Sequence, residues 1–236
     1  MTTWIGFGQG TGFGQGTYPL IQTPSSTDCE ASVSQQQRPA FHVYKGSRDF
    51  CTIVERCLRR LEEDQVNHQY LIFEPVKDAD VMSIDQLKSL ERRMRLTHDG
   101  IKDELIVKLF PSGPHEGALL LAQLFFAKLG ELEQEPIRVG ATRVMVVDAC
   151  GQWSFKEVHE AYKPSRRTNK WPTIVFEVGY TQSLARLICD ACWWLEKSDN
   201  QVKIVILVSI DSKRRQFKIQ QWCKQLIIGG LSGSLG

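Results

Sequence analysis

The stretch from Trp171 to Trp194 places the strongest constraint on the fold, because it joins a buried-strand pattern directly to a helical pattern. Thr173 to Val178 is β-branched and aromatic, which predicts a buried strand with one carboxylate, Glu177, near its end. We expect Gly179 to end that strand. A carboxylate at the carboxyl end of a buried strand, facing a helix start, is where α/β folds place chemistry. The helical pattern rests on Leu184, Leu187, Ile188, Ala191 and Leu195.

Length and composition favour an ordinary globular protein. The 236 residues are enough for one well-buried core. We expect a protein inside the cell, nuclear or cytoplasmic, with no membrane partner, because the sequence has neither an apolar run long enough to span a bilayer nor a secretory signal. Seven irregularly spaced cysteines fit that compartment. The single C-x-x-C, at Cys189 and Cys192, is more typical of a buried helix face than of a zinc site.

The two ends of the chain differ in composition from the part between them. The hexapeptide G-F-G-Q-G-T occurs twice in tandem between Gly6 and Thr17, and polar sequence follows. Residues 1–40 are therefore expected to be a flexible tail rich in Gly, Ser and Gln. Residues 41–228 are expected to form a single domain with its core at about 112–211. Residues 229–236 are expected to be a second flexible tail.

Two helical patterns precede the expected core. Ser47 to Asp64 has apolar residues on one helical face and charged residues on the other. Tyr70 to Val76 reads as a short strand. Ser83 to Gln86 has the form of a capping box and predicts a helix through Leu87, Leu90 and Met94. These segments predict an N-terminal helical elaboration.

The expected core follows a definite order of elements. A strand at Glu104 to Phe110 is stopped by Pro111 to Pro114, and an apolar helix begins with His115 and Glu116. From Pro114 to Ile210 the order is helix, three strands, helix, strand, and the last strand is expected to lie parallel to its predecessor. The predicted strands, one more before the second helix than the three counted in that core order, are Ile137 to Val139, Arg143 to Asp148, Ser154 to Tyr162, Thr173 to Val178, Val202 to Ile210 and the edge strand Arg215 to Cys223.

Four motifs accompany that order: P-S-G-P-H-E, K-E-V-H-E-A-Y-K-P, W-P-T-I-V-F-E-V-G, and S-L-A-R-L-I-C-D-A-C-W-W-L followed by V-K-I-V-I-L-V-S-I. With them, the chain resembles the PD-(D/E)XK or restriction-endonuclease-like nuclease superfamily, and in more detail a group of proteins common in filamentous fungi. The resemblance covers the last half to two thirds of the chain. It implies an α/β fold with an αβββαβ core, a central mixed sheet flanked by helices.

The resemblance also implies a metal site. In the superfamily, a carboxylate on the first helix, an Asp on the second core strand and a Glu or Asp on the third hold Mg²⁺ or Mn²⁺, which activates water for phosphodiester hydrolysis. Glu116 and Glu177 match the first and third positions. At the second position Glu160 replaces the Asp, and a register shift or bulge would bring in His159 instead. An imidazole ligand would favour Mn²⁺ over Mg²⁺.

The catalytic lysine of the superfamily is missing, since Gly179 stands where E-x-K carries Lys. Arg186 on the following helix, with Asp190 nearby, is the candidate for stabilising phosphate charge, although a permanently protonated Arg cannot act as a base. Structural roles stay open for these positions. Glu116 would serve as a helix-dipole carboxylate, Glu160 and His159 as ordinary strand residues, Asp190 as the partner of a neighbouring cation, and Trp193 and Trp194 as packing residues.

One loop contains four basic residues, Lys163, Arg166, Arg167 and Lys170. This cluster predicts either contacts with nucleic-acid phosphates or a solvated turn.

We weigh two hypotheses for the function. In the first, the protein is a metal-dependent nuclease with a variant site, acting on DNA rather than RNA. In the second, it is an inactive nuclease fold that serves as a nucleic-acid or protein binding module. A protein partner or a homo-oligomer is a further possibility.

Overall fold

The computed structural model describes residues 39–63, 69–87, 93–110, 120, 122–127, 136–140, 142–180, 183–211, 214 and 216–224. Glu116, His115 and almost all of the two predicted tails lie outside these residues. None of the helices in the described ranges is long and apolar enough to cross a bilayer.

Strands dominate the described residues, and residues 120 and 122–127 are also helical. The helices are α1 (Ser47–Glu62), α2 (Asp78–Asp85) and α3 (Leu184–Lys197). The strands are β1 (Ala40–Val43), β2 (Tyr70–Glu74), β3 (Met94–Asp99), β4 (Glu104–Leu109), β5 (Pro136–Arg138), β6 (Arg143–Val147), β7 (Trp153–Glu157), β8 (Glu160–Pro164), β9 (Ile174–Tyr180), β10 (Ile204–Asp211) and β11 (Gln216–Cys223).

The N-terminal half is built on a six-stranded mixed sheet in the order β1-β2-β4-β3-β7-β6. Helix α1 packs on it because its apolar residues recur every three or four positions, which places them on one face. That face joins the sheet in a continuous hydrophobic core. Residues of this core include Phe50, Val54, Leu58, Leu71, Phe73, Leu105 and Val107.

The predicted N-terminal helical elaboration is therefore corrected to a sheet with a core of its own. The helix predicted to start at Ser83 is also wrong, because Ser83 lies inside α2, where its hydroxyl donates to the carbonyl of Ala79. Met94, predicted as helical, begins strand β3. Its segment alternates between buried and half-buried residues and pairs antiparallel with β4, and that alternation has the two-residue period of a strand.

The second sheet has five strands in the order β11-β10-β9-β8-β5. Strands β9 and β10 are parallel and joined by α3, which confirms the predicted crossover, and β11 is the predicted edge strand. Helix α3 covers one face through Leu187, Ala191 and Leu195, and Ala122 and Phe126 pack on the other face. The α/β class, with mixed sheets flanked by helices, is confirmed.

The strand predicted at Ser154 to Tyr162 is two strands in two different sheets. β7 pairs with β3 and β6, whereas β8 pairs with β5 and β9. The chain changes sheets at Val158, whose backbone N–H donates to the carbonyl of Thr142 and whose carbonyl accepts from Arg95 Nε. These bonds replace the strand ladder there. The hairpin of β6 and β7 consequently belongs to the N-terminal sheet.

Gly179 does not end the central strand, which continues to Tyr180. A Cβ at Gly179 would lie 3.0 Å from Gln69 Oε1 and 3.3 Å from a Leu187 methyl carbon, and that Gln69 oxygen also accepts the N–H of Tyr180. Glycine suits the close approach of β9 to α3 and Gln69, because any larger residue would displace the Gln69 and Leu187 side chains.

The Gly179→Ala variant is expected to lose about 1–3 kcal/mol of unfolding free energy, because the added methyl overpacks a filled site. Urea denaturation of the full chain measures this loss. Gly151→Ala gives a useful comparison, since nothing lies within 4 Å of a Cβ there and only its positive φ of 81° opposes the change. A Gly179→Ala variant as stable as the wild type would contradict the packing argument.

Candidate functional site

Buried charged side chains meet where α3 packs against both sheets. Lys108 on β4 donates to Glu177 Oε2 on β9 at 2.7 Å and to Asp190 Oδ2 on α3 at 3.2 Å. Trp194 Nε1 donates to the other Glu177 oxygen at 2.7 Å. The side chains of Lys108, Glu177 and Asp190 are at most 6% exposed. Lys108 is therefore a buried cation shared by two buried carboxylates.

Asp190 is the most heavily coordinated member of this network. Its Oδ1 accepts from Lys156 at 2.5 Å, and its Oδ2 accepts from the Tyr70 hydroxyl at 2.7 Å as well as from Lys108. Burial by itself raises the pKa of Asp190, but the charges of Lys156, Lys108 and Arg186 outweigh it and hold that pKa well below its usual value. Asp190 is thus an ionised carboxylate that pairs with neighbouring cations, which is the structural role that the sequence left open for it.

The network is built by neighbouring elements. Tyr70 and Lys108 come from paired strands, where they lie directly opposite each other, and Lys156 comes from β7 of the same sheet. Burial raises the pKa of Tyr70, and the Asp190 and Glu177 carboxylates raise it further, so Tyr70 is a neutral hydrogen-bond donor. Sequence reasoning missed Tyr70, Lys108 and Lys156. Lysines within largely apolar strands were the available signal, because a buried lysine requires a partner.

Glu160 does not lie with Glu177. It pairs with Phe176 across β8 and β9, so it shares a sheet face with Phe176, while Glu177 points to the opposite face. Glu160 accepts hydrogen bonds from Arg138 Nε at 3.0 Å and Nη2 at 2.6 Å. Next to it, burial raises the pKa of Tyr162 to about 12, and the Glu160 carboxylate adds to that rise. The predicted pairing of Glu160 with Glu177 at one metal is therefore wrong.

His159 is buried at the break between β7 and β8, with its ring packed edge-on against Phe110 at 4.4 Å between centroids. The Phe110 ring lies 5.8 Å from Lys108 Nζ, which places His159 close to the charged network. This arrangement follows from the change of sheets after β7.

The described residues do not fit a bound Mg²⁺ or Mn²⁺ ion. Every carboxylate oxygen of Glu177 and Asp190 already accepts a hydrogen bond from a protein donor, and two lysine ammoniums balance their charges. A hard cation needs oxygens that it can approach directly. No cluster of three or more His, Cys, Asp or Glu suited to a metal occurs in the described ranges.

A cavity of about 310 Å³, here called the α3 cleft, opens beside the network. It lies between α3 and the N-terminal sheet. Arg186, the predicted phosphate-stabilising residue, lines it and is only 9% exposed, with its guanidinium carbon 6.0 Å from the Tyr70 ring centroid. Its other lining residues include Thr97, Asp99, Glu104, Val146, Asp148, Lys156, Cys189, Asp190 and Trp193.

The basic loop, residues 163–170, is held by uncharged acceptors. Lys163 Nζ donates to the carbonyl of Asn169, and Lys170 Nζ donates to the carbonyl of Met145, each at 2.8 Å. Arg167 donates to Thr173 and Gln201. Arg166 is exposed. Among the described contacts, no carboxylate pairs with these four cations, so no described ion pair cancels the positive charge of the loop.

Comparison with known proteins adds no relative. No family model matches this chain, and neither a curated protein nor a solved structure matches it. The class that the fold and site define is an α/β protein with two mixed sheets and a buried ion-pair network between them.

Proposed function

We propose that this chain is a nuclease-like protein that binds DNA and does not cleave it. The observation that carries the proposal is the position of Lys108, whose ammonium bridges Glu177 and Asp190, where a catalytic metal would need their oxygens. In this proposal a lysine pair has replaced the metal centre. In this proposal, β5, β8 and β9, followed by α3 and β10, correspond to the three strands, helix and strand of a restriction-endonuclease-like core, and the hairpin of β6 and β7 is an insertion between β5 and β8.

The basic loop supplies the DNA contact in this proposal. Lys163, Arg167 and Lys170 donate to neutral groups, so these contacts do not cancel their charges, and Arg166 is exposed. Bonds to neutral acceptors also hold the loop in one conformation, which reduces the entropy lost when it meets a phosphate backbone. Together with the saturated carboxylates, this favours binding over hydrolysis.

The wild-type protein is expected to bind a fluorescent DNA duplex with an affinity that falls steeply between about 50 and 200 mM salt, as measured by anisotropy. The loop variant Arg166→Gln with Lys170→Gln is expected to lower the slope of log affinity against log salt by about 1.8, from two lost phosphate contacts. Arg59→Gln with Arg60→Gln, on the exposed side of α1, removes the same charge elsewhere and serves as the control. Equal slopes for both double variants would contradict the assignment to the loop.

A second candidate function is metal-dependent cleavage, and one observation favours it. The Lys108 ammonium lies 2.7 Å from Glu177, so Lys108 could take the role of the catalytic lysine that is missing from the sequence position of Gly179. Incubation of plasmid and single-stranded DNA with Mg²⁺ or Mn²⁺ separates the two candidates. Our proposal expects no cleavage and no calorimetric binding of either ion that depends on Glu177. Cleavage by the wild type that Glu177→Gln abolishes would establish the nuclease instead.

The partner expectations extend beyond DNA. A protein partner or a homo-oligomer stays a prediction, and so does a nuclear or cytoplasmic location. Size-exclusion chromatography of the full chain with and without the DNA duplex measures the first of these. A lone monomer in both samples would count against a subunit role.

A further inference from the structure

The floor of the α3 cleft can donate a hydrogen bond to an anion. Lys156 Nζ donates to Asp190 Oδ1 at 2.5 Å and to Thr97 Oγ1 at 3.2 Å. An ammonium carries three donors, so one N–H of Lys156 is not used by these contacts within the described part of the chain. Arg186 lines the same cavity and adds a second cation. Asp190 lines the cavity too and pairs with Lys156, so a phosphate would be held by the remaining Lys156 donor together with Arg186.

One wall of the cleft is aromatic. Trp193 lines the cavity and is partly exposed, in contrast to the fully buried Trp194. Lys156 Nζ lies 5.8 Å from the Trp193 ring centroid, so the cation and the ring are close enough for one ligand to reach both. Aromatic side chains of this kind stack on nucleobases.

The more exposed lining residues, which form the mouth of the cleft, carry both charges. Asp99, Glu104 and Asp148 are partly exposed carboxylates, Lys102 and Lys197 are exposed cations, and Lys102 lies 3.7 Å from Asp99. These carboxylates repel a continuous phosphate backbone, but they accept hydrogen bonds from hydroxyl and amino groups. The complementary ligand has one anionic end and a neutral body rich in hydrogen-bond donors.

We propose that the α3 cleft binds a nucleoside 5′-phosphate, with the phosphate at Lys156 and Arg186 and the base against Trp193. The sugar hydroxyls and base amino groups then meet the carboxylates at the mouth. A volume of about 310 Å³ lies at the lower end of the range for small-molecule sites, which suits one nucleotide better than two. The site is separate from the basic loop and does not depend on the DNA contact proposed there.

The test is calorimetric titration of adenosine 5′-monophosphate into the full chain, with tryptophan fluorescence as a second readout. Saturable binding with a Kd below about 1 mM is expected, and adenosine or inorganic phosphate alone should bind at least about tenfold more weakly. The variant Val146→Trp fills the cleft without changing a charge and should weaken binding at least about tenfold. Val147→Trp is its matched control, since Val147 is 63% exposed and does not line the cleft.

Three results would overturn the proposal. The first is no saturable binding of the nucleotide by the wild type, and the second is binding that Val146→Trp and Val147→Trp leave equally strong. The third is inorganic phosphate binding as tightly as the nucleotide, because the base would then contribute nothing. The variant Lys156→Met removes the ammonium at the floor of the cleft and tests its contribution to nucleotide binding. Circular dichroism checks that each variant folds.

The nucleotide has two sources, a free mononucleotide or the 5′ end of a single strand. Short oligonucleotides with and without a 5′-phosphate distinguish them, and a preference for the phosphorylated strand that Val146→Trp removes assigns the strand end. A failure of the proposed DNA binding at the basic loop can be distinguished from a failure of the proposed nucleotide binding in the α3 cleft. The Arg166→Gln with Lys170→Gln variant should keep wild-type affinity for the mononucleotide.

Discussion

The Asp190→Asn variant is expected to lose about 3–5 kcal/mol of unfolding free energy at pH 7, because Lys108 and Lys156 would keep their buried charges and lose the carboxylate that they share. The loss should be visible in urea denaturation of the full chain as a lower midpoint with an unchanged slope. Tyr70 would also lose an ionic acceptor for its hydroxyl. This is the largest effect that we expect from a single substitution in the network.

A matched control and a double variant sharpen that measurement. Glu55→Gln neutralises a carboxylate on the exposed side of α1 and should change stability by less than about 0.5 kcal/mol. Lys156→Met combined with Asp190→Asn should cost less than the sum of the two single changes, because the pair is removed together. Additive costs, or a loss below about 1 kcal/mol for Asp190→Asn, would show that the network is not the stabilising unit described here.

Acidification is expected to remove the contribution of Asp190 selectively. Its pKa is depressed in the folded protein, so its stabilisation is fully present above the ordinary aspartate pKa of about 4 and is lost as the pH falls below that value toward the depressed pKa. The stability difference between wild type and Asp190→Asn should therefore be constant from about pH 7 to pH 5 and shrink at lower pH.

Urea midpoints measured at a series of pH values for both proteins test this directly. Using the difference between them cancels the titration of carboxylates elsewhere in the chain. A difference that stays constant down to about pH 2 would mean that Asp190 has the same pKa in the folded and unfolded states. A difference that grows on acidification would have the wrong sign for an aspartate held by lysines.

These stability predictions bear on function because the side chains that stabilise the fold are also the ones that form the candidate functional site. Lys108 and Lys156 neutralise the carboxylates that a metal would use, and Lys156 also lines the α3 cleft. At Gly179, any added side chain would press against Gln69 and Leu187. The lysine that contacts Glu177 comes from β4 and not from the position two residues after Glu177.

The sequence predicted much of the second sheet correctly. Strand β9, helix α3, strand β10 and the edge strand β11 each carry a complete local signal, either a β-branched run or an apolar helical stripe, and the parallel crossover follows from their spacing. The N-terminal half was harder. Met94–Asp99 alternates with the two-residue period of a strand, but the helical spacing of Leu87, Leu90 and Met94 favoured a helix, and pairing with β4 and β7 makes the segment a strand.

The candidate site was predicted in part. Glu177, Arg186 and Asp190 lie on elements with strong local patterns, and the structure brings them together at α3. Glu160 is expected to join them because it occupies the second carboxylate position implied by the resemblance, but the register of β8 and β9 pairs it with Phe176 and so turns it to the sheet face opposite Glu177. Glu116 lies outside the described residues, so its role stays a prediction.

By itself, the sequence determined the α/β class, the central strand and helix from Trp171 to Trp194, and the presence of a buried carboxylate at Glu177. Only the tertiary structure decided what that carboxylate meets. Lys108 lies 69 positions from Glu177 and 82 from Asp190, and Tyr70 lies 120 from Asp190. Periodicity reports which residues are buried over a few turns or strands, whereas the partner of a buried charge is set by packing between distant elements, which local patterns do not encode.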